Sequence, residues 1–243
     1  MLVLLPPSEG KTAPSQGAPV DLGALAYPEL TKLRERVLNT LIRVSGTKEA
    51  NALKALGLSK GQAGDLALNR GLLTAPAAPA AEVYTGVLYE RLRLAELPED
   101  ARERVLIASA LWGVVRPDDR IPAYRLSIGA NLPRTPGLAS YWRPALTRAL
   151  PDEGLIVDLR SGPYEAAWKP RRAERLSVRA FTEQDGKRTV ISHMVKAVRG
   201  DVARVLLQRP AETVDAVAET VAAAGYEVEL APGTLDVIYR PVA

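Results

Sequence analysis

The sequence contains no cysteine and only one histidine among its 243 residues. Without cysteine, disulfides, thiolate nucleophiles and zinc–thiolate sites are excluded. One histidine and no spaced carboxylate cluster offer nothing like a dedicated iron site, so we predict no metal and no cofactor. No apolar run approaches the ~20 residues of a membrane span, and the N-terminal MLVLLPP lacks the basic segment of a signal peptide. We therefore expect a cytoplasmic protein with no membrane partner, and a monomer is favoured.

Charge is unevenly distributed along the chain. The net charge is +4, and arginine supplies 24 of the 32 basic residues. Residues 160–209 contain twelve basic and five acidic residues, whereas residues 211–243 contain six acidic residues and one arginine. Such asymmetry favours a basic surface for phosphate-rich partners.

The order of apolar runs and turn signals predicts an α+β fold. Buried strands are expected at residues 1–5, 105–108 and 155–159, and a hairpin at 175–181 and 187–194 with Asp185-Gly186 as its turn. Amphipathic helices are expected at 138–150 and 195–208. We predict one domain over residues 1–243, with a mixed, largely buried sheet surrounded by helices and a helical subdomain at 28–71.

The helical subdomain contains two short helices joined by a glycine turn. One helix is expected to end at Leu56, the turn is Gly57-Leu58-Ser59, and the second helix starts at Lys60. In a helix-hairpin-helix motif such a turn binds a DNA phosphate through backbone N–H groups, which would place Gly57 and Lys60 at the site. A plain αα-hairpin has the same pattern, and both interpretations stay open.

The stretch LIASALWGVVRPDDRIPAYRLSIGAN is the strongest candidate for a functional loop. A buried strand runs into a segment stiffened by two prolines, which carries Arg116, Asp119, Arg120, Tyr124 and Arg125. Guanidinium groups on a stiff loop bind anions at little entropic cost. The alternative is a surface loop whose arginines and aspartates pair with each other.

Further candidates follow the other buried strands. Lys11 comes after the first strand in a Gly-Lys-Thr sequence, but Leu5 stands where a phosphate-binding P-loop needs a glycine, so that motif is rejected. Asp158, Arg160 and Tyr164 follow the strand at 155–159. Loops after buried strands commonly carry binding residues, so we expect Lys11 and Arg160 to face a site.

The helix predicted at 195–208 has a basic face. Its valines and leucine recur on one side, while Lys196, Arg199 and Arg204 fall on the other. The helix is expected to form one wall of a basic groove, although a solvated polar face explains the same pattern. His193 is expected on the strand before this helix, where a lone histidine is more often structural than a base.

Four segments resemble the YaaA family of peroxide-stress resistance proteins. They are LLPPSEGK, VYTGVLYERL, SALWGVVRPDDRIPAYRLSIG and SHMVKAVRGDVAR, spread over nearly the whole chain. The resemblance implies a cytoplasmic DNA-binding protein with a mixed α/β fold, a positively charged cleft and a helix-hairpin-helix. It also implies a role in protection from hydrogen peroxide and in limiting free iron.

Two functional hypotheses follow. In the first, the chain binds duplex DNA largely without sequence preference, through phosphates that contact arginines and lysines. In the second, it is an enzyme that acts on a phosphorylated or nucleotide-like substrate, with Asp119 as acid or base and Arg116 and Arg125 as an anion clamp. Whether any catalysis occurs stays open, with a binding protein favoured.

Overall fold

A computed structural model of the chain describes residues 1–184, 187–189 and 192–240. The strands are β1 (Leu2–Leu5), β2 (Ala78–Pro79), β3 (Val105–Ser109), β4 (Gly113–Val115), β5 (Arg120–Ile121), β6 (Leu155–Asp158), β7 (Glu174–Gln184), β8 (Lys187–Thr189), β9 (Glu227–Ala231) and β10 (Thr234–Tyr239). The helices are α1 (Thr31–Ser45), α2 (Glu49–Leu56), α3 (Asp65–Arg70), α4 (Ala80–Val83), α5 (Val87–Leu92), α6 (Glu99–Arg102), α7 (Leu138–Ala149), α8 (Gly162–Glu165), α9 (Ser192–Gln208) and α10 (Val214–Ala223). Short 3₁₀ turns cover Pro28–Leu30, Lys60–Gln62 and Leu94–Glu96.

The main sheet is mixed, with a parallel centre and antiparallel edges. Its strand order is β4-β3-β1-β6-β7-β10-β9, and β8 pairs with β7. Strands β3, β1, β6, β7 and β10 are parallel to one another, whereas β4, β8 and β9 pair antiparallel. The strands β2 and β5 form a separate two-stranded sheet. The prediction of a mixed sheet surrounded by helices is confirmed.

The central strands are buried because their side chains are apolar on both faces. Val3, Val105, Ile156 and Val157 are all fully buried. Continuous apolar runs are typical of parallel strands that helices cover on both sides. The predicted strands at the start of the chain, at residue 105 and at residue 155 are confirmed.

The parallel centre brings three segments to one edge of the sheet. Strand β1 lies between β3 and β6, with Val3 opposite Val105 and Leu4 opposite Asp158. The carboxyl ends of these strands therefore meet at the same edge, where ligands commonly bind in α/β sheets. The residues after Leu5 and after Asp158 become neighbours there.

Helix α9 packs very closely against α5, and Gly200 makes this approach feasible. A Cβ atom on Gly200 would lie 2.4 Å from the backbone oxygen of Leu88 and 2.8 Å from Cβ of Arg91. The apolar side of α9, with Val198 and Val202, is buried in the core. This contact therefore helps to position α9, whose other side carries Lys196 and Arg199.

The region before α9 differs from the expected hairpin. Strand β8 ends at Thr189, and α9 begins at Ser192. The prediction that His193 lies on a strand is therefore wrong, since this exposed residue belongs to the first turn of α9. The proposed Asp185-Gly186 turn lies outside the described residues. Among the described helices, none has the length and apolar character needed to cross a bilayer.

Candidate functional site

Segments from distant parts of the chain enclose one polar cleft at the carboxyl edge of the central strands. Its volume is about 470 Å³, which is within the range of small-ligand sites. We call it the Lys11 cleft. Its lining comes from residues 6–11 after β1, the α2 turn at 56–58, residues 86–89 of α5, residues 125–127, Ser161 and Tyr164 after β6, and Lys196 and Arg199 of α9.

Lys11 lies half-buried in this cleft on a well-held backbone. Its main chain forms an antiparallel bridge with Tyr84, and the N–H of Thr12 donates to the Val83 oxygen at 2.9 Å. The Lys11 Nζ donates to the Ser8 carbonyl oxygen at 2.6 Å. Burial, reinforced by the positive charge of Arg125, lowers the pKa of Lys11 to about 7. The Lys11 amine therefore loses its proton far more readily than an ordinary lysine amine.

A cluster of buried tyrosines forms the floor beneath Lys11. The Lys11 Nζ lies 4.2 Å from the ring centroid of Tyr124 and 5.3 Å from that of Tyr84. The hydroxyls of Tyr84 and Tyr124 are 2.8 Å apart, and Tyr124 OH is 2.7 Å from Ser109 Oγ. Burial raises the pKa of both tyrosines, so they stay neutral. Tyr124, a predicted anion-binding residue, thus presents its ring to Lys11 while its hydroxyl points into the core network.

Arg125 forms one cationic wall of the cleft. Its backbone N–H donates to the Asn69 side-chain oxygen at 2.9 Å, and the Asn69 amide donates back to the Arg125 carbonyl at 2.9 Å. The guanidinium donates to a Glu9 carboxylate oxygen at 3.1 Å and lies 3.7 Å from Asp65. Glu9 is highly exposed, with 81% of its side chain accessible, so this pairing is weak and can yield to a ligand.

Lys196 and Arg199, one turn apart on α9, form a second cationic wall of the cleft. Lys196 is exposed, whereas Arg199 is half-buried. Burial lowers the pKa of Arg199, with the charges of Glu165 and Asp158 acting in the opposite direction. The Arg199 Nε is buried and has no hydrogen-bond partner among the described residues. A buried N–H of a charged group costs free energy when it has no hydrogen-bond partner. Arg199 is therefore a candidate anion-binding residue.

The structure places other predicted residues outside this cleft. Arg116 donates to the Glu103 carbonyl oxygen at 2.8 Å, and Arg120 donates to the Ala77 carbonyl oxygen at 2.7 Å. Arg204 donates to the Leu92 carbonyl oxygen at 2.9 Å. Each of these guanidinium groups ties a loop or helix end to its neighbour.

Asp119 also has a structural setting. Its carboxylate accepts backbone N–H groups from Ala26 and Arg116, each at 2.9 Å. Burial raises its pKa despite these hydrogen bonds. Asp119 and Arg116 line a separate surface hollow with Arg102, so Arg116 and Arg125 do not face the same cavity.

Arg160 belongs to a buried ionic network beside the cleft. Its guanidinium donates to both carboxylate oxygens of Asp158, at 2.9 and 2.8 Å, and to the Trp168 carbonyl oxygen at 2.8 Å. Arg175 donates to the same Asp158 at 2.8 Å. Although burial opposes it, these arginines hold the pKa of Asp158 below its usual range. Arg160 therefore stabilises the segment that carries Ser161 and Tyr164 into the cleft.

The glycine turn predicted as a helix-hairpin-helix lies at the rim of the cleft. Gly57 has a left-handed backbone, with φ of 67°, and ends α2. The Leu58 N–H donates to the Leu53 oxygen at 2.9 Å, and the Ser59 N–H donates to the Gln62 side chain at 2.9 Å. Lys60, exposed, starts a 3₁₀ turn instead of a regular helix. The Gly57 N–H also donates, to the Lys54 oxygen at 3.4 Å, so all three N–H groups of the turn are occupied and the helix-hairpin-helix phosphate clamp stays a prediction.

Some cleft residues were not among the predicted site residues. Tyr89 lines the cleft and donates its hydroxyl to the Pro6 carbonyl oxygen at 2.7 Å. Its only sequence signal is that Tyr84 and Tyr89 lie on either side of Gly86. Glu9 carries no signal, because its importance depends on where Arg125 lies in space. Within the described residues, no group of three or more His, Cys, Asp or Glu side chains is placed to hold a metal ion.

Comparisons with known proteins extend over nearly the whole chain. A UPF0246 protein of Streptomyces coelicolor is 44% identical, with all of both chains covered. UPF0246 proteins of Corynebacterium efficiens and Corynebacterium glutamicum are 42% and 41% identical, with 96% of each chain covered. A family model described as peroxide stress protein YaaA matches residues 1–231. Given this coverage and identity, the chain belongs to the peroxide stress protein YaaA family.

Proposed function

We propose that the chain is a cytoplasmic protein that binds duplex DNA through its phosphates at the Lys11 cleft and so acts in the peroxide-stress response. The observation that carries the proposal is Arg199, a half-buried guanidinium whose Nε lacks a partner among the described residues. A phosphate in the cleft, which Arg199 lines, would supply a negative charge to this guanidinium. Arginine and phosphate form charge-assisted hydrogen bonds, which are stronger than neutral ones.

The surrounding charges support a phosphate ligand. Lys196 lies one turn from Arg199 on α9, and Arg125 lines the same cleft. Among the described carboxylates, none lies within 4.0 Å of the Lys196 amine or the Arg199 guanidinium. The two walls therefore present an excess of positive charge to whatever enters the cleft.

The same side chains explain why binding should be largely independent of sequence. Contacts from lysine and arginine to phosphates hold the duplex in place but do not read bases. The tyrosine hydroxyls beneath Lys11 bond to one another and to Ser109, so they are not free to read base edges. Any effect on free iron would be indirect.

The second candidate is an enzyme that acts on a phosphorylated or nucleotide-like substrate. The observation that favours it is Lys11, whose amine is held at a pKa of about 7 inside a cavity of small-ligand size. The acid or base would then be Lys11 and not Asp119, whose carboxylate is occupied by two backbone N–H groups. The anion clamp would comprise Arg125 with Arg199, in place of Arg116.

Fluorescence anisotropy of a labelled duplex across a salt series tests DNA binding. The wild type is compared with a Lys196→Gln/Arg199→Gln variant and with a control, Lys32→Gln/Arg209→Gln, which removes the same charge from exposed positions outside the cleft. Loss of two phosphate contacts should flatten the plot of log affinity against log salt concentration by roughly 2. The control should keep the wild-type slope. Equal affinities for both double variants would contradict the proposed site.

A further inference from the structure

We propose that Lys11 is a nucleophile that forms an imine with an aldehyde on a phosphate-bearing ligand in the Lys11 cleft. The inference rests on the proposed function, since the phosphate must be held by the cationic walls. The chemical class is an aldehyde close to a phosphate. One source is the open-chain sugar that DNA exposes when a base is lost, and the other is a free phosphorylated aldehyde.

The first support is that the Lys11 amine has no ionic partner. Its Nζ makes one hydrogen bond, to the Ser8 carbonyl oxygen, and no carboxylate oxygen of the described residues lies within 4.0 Å of it. A lysine used only for ionic contact with the protein would have such a partner. In the neutral amine, one N–H donates to Ser8 and this hydrogen bond does not use the nitrogen lone pair.

The second support is that the environment keeps the amine in its reactive form. An ordinary lysine, with a pKa near 10.4, is neutral in roughly one molecule in a few thousand at pH 7. The Lys11 pKa of about 7, caused by burial and then by Arg125, makes the neutral amine a major species. Desolvated lysines beside another cation are the ones that proteins use to attack carbonyl groups.

The third support is the arrangement of nucleophile and anion site within one cavity. Lys11 lies on the floor over the tyrosine rings, while Arg125, Lys196 and Arg199 line the walls. A ligand whose phosphate binds the walls would place a nearby carbonyl inside the same 470 Å³ space. The bridge from Lys11 to Tyr84 holds the backbone of the nucleophile in position, as an efficient site requires.

The reaction needs no oxidant, reductant or cofactor. The neutral Nζ of Lys11 attacks the aldehyde carbon, a C–N bond forms, and the carbonyl electron pair moves to oxygen. The nitrogen loses a proton and the oxygen gains one, which gives a carbinolamine. Loss of water then leaves the C=N bond, so amine and aldehyde become imine and water.

Reductive trapping of the full-length chain tests the inference. The protein is incubated with sodium cyanoborohydride and either a labelled duplex containing one abasic site or glyceraldehyde 3-phosphate. Hydride reduces the C=N bond to a stable secondary amine, which denaturing gels and peptide mass spectrometry detect. We expect an adduct that maps to Lys11 and is at least 20-fold reduced in Lys11→Arg, but unchanged in Lys32→Arg, whose lysine is exposed outside the cleft.

The outcomes separate the inference from the proposed function. An adduct at Lys11 with the duplex assigns the DNA source, and one only with the small aldehyde assigns the free ligand; both support the proposal. If the wild type binds intact duplex by anisotropy but gives no adduct at Lys11, the inference is overturned while DNA binding stands. Adducts spread evenly over several lysines overturn it as well. Lys11→Met provides a second variant without a nucleophile, should the guanidinium of Lys11→Arg disturb folding.

Discussion

Replacing Gly200 by alanine tests whether the contact between α9 and α5 sets the geometry of the site. The added Cβ would lie 2.4 Å from the Leu88 oxygen and 2.8 Å from the Arg91 Cβ. Ordinary contacts between such atoms are near 3.5 Å, so the helices must separate by roughly 1 Å. The obstacle includes backbone, which cannot rotate away as a flexible side chain would.

Two opposing terms decide the size of the effect. Overpacking of a close contact costs about 1–3 kcal/mol. Alanine is favoured over glycine in a helix interior by about 0.5–1 kcal/mol. We expect the steric term to win, with a net loss of about 1–2 kcal/mol in the free energy of unfolding. Because Arg199 is the adjacent residue, affinity for duplex DNA should fall as well.

Urea unfolding followed by tryptophan fluorescence measures the stability change. The reporters are suitable since Trp112, Trp142 and Trp168 are all buried. Gly64→Ala is the matched control, because its Cβ would meet nothing within 4 Å and its φ is −58°; it should be neutral or stabilising by up to ~1 kcal/mol. A Gly200→Ala protein as stable as Gly64→Ala would refute the reasoning.

Three further predictions concern buried polar groups. The pKa of Lys11 is about 7 in the folded protein, below its ordinary value of 10.5, so between these two pH values the unfolded state binds more protons. The free energy of unfolding should therefore rise with pH in this range by up to ~1.4 kcal/mol per pH unit. Urea unfolding of Lys11→Met at pH 7.5–9.5 should lack this pH-dependent component. Tyr124→Phe removes a hydroxyl that is hydrogen-bonded to two buried hydroxyls, and a thermal melt should show a loss of ~1–3 kcal/mol in the free energy of unfolding. Tyr239→Phe is the control, because its hydroxyl has no partner among the described residues; its free energy of unfolding should change by less than ~0.5 kcal/mol. Asp119→Asn replaces one of two carboxylate oxygens that accept backbone N–H groups by an amide NH₂, which cannot accept a hydrogen bond. Urea unfolding should show a loss of ~1–3 kcal/mol in the free energy of unfolding; an unchanged midpoint would contradict the structural role of the Asp119 carboxylate.

The buried strands and the long helices could be predicted well because their signals lie within each segment of the sequence. The apolar runs at β3 and β6 are short, rich in Val, Leu and Ile, and bounded by polar residues, which is typical of central parallel strands. The basic helix was recognised because its valines recur at helical spacing. The exact start of that helix was missed, since His193 follows an apolar run that suits a strand end equally well and helix boundaries are weakly encoded.

The site could be predicted only in part, because its assembly depends on strand order. Lys11, Lys196 and Arg199 were each identified from their local surroundings. Nothing in the local sequence shows that β1 lies in the centre of the sheet or that α9 packs against α5, and these two arrangements bring the residues together. The direction of each side chain was also hidden: Arg116 and Arg125 belong to one stiff loop, yet they line different cavities.

The central position of β1 has a consequence for synthesis of the chain. Its residues are synthesised before those of both sheet partners, since Val3 pairs with Val105 and Leu2 with Ile156. Strand β1 therefore has no sheet partner until β3, about a hundred residues later in the chain, has been synthesised, and long-range pairing of this kind forms slowly. The Lys11 cleft closes only after Arg199 has emerged. A chain terminated before α9 thus carries Lys11 and Arg125 without Lys196 and Arg199, so its cleft is incomplete.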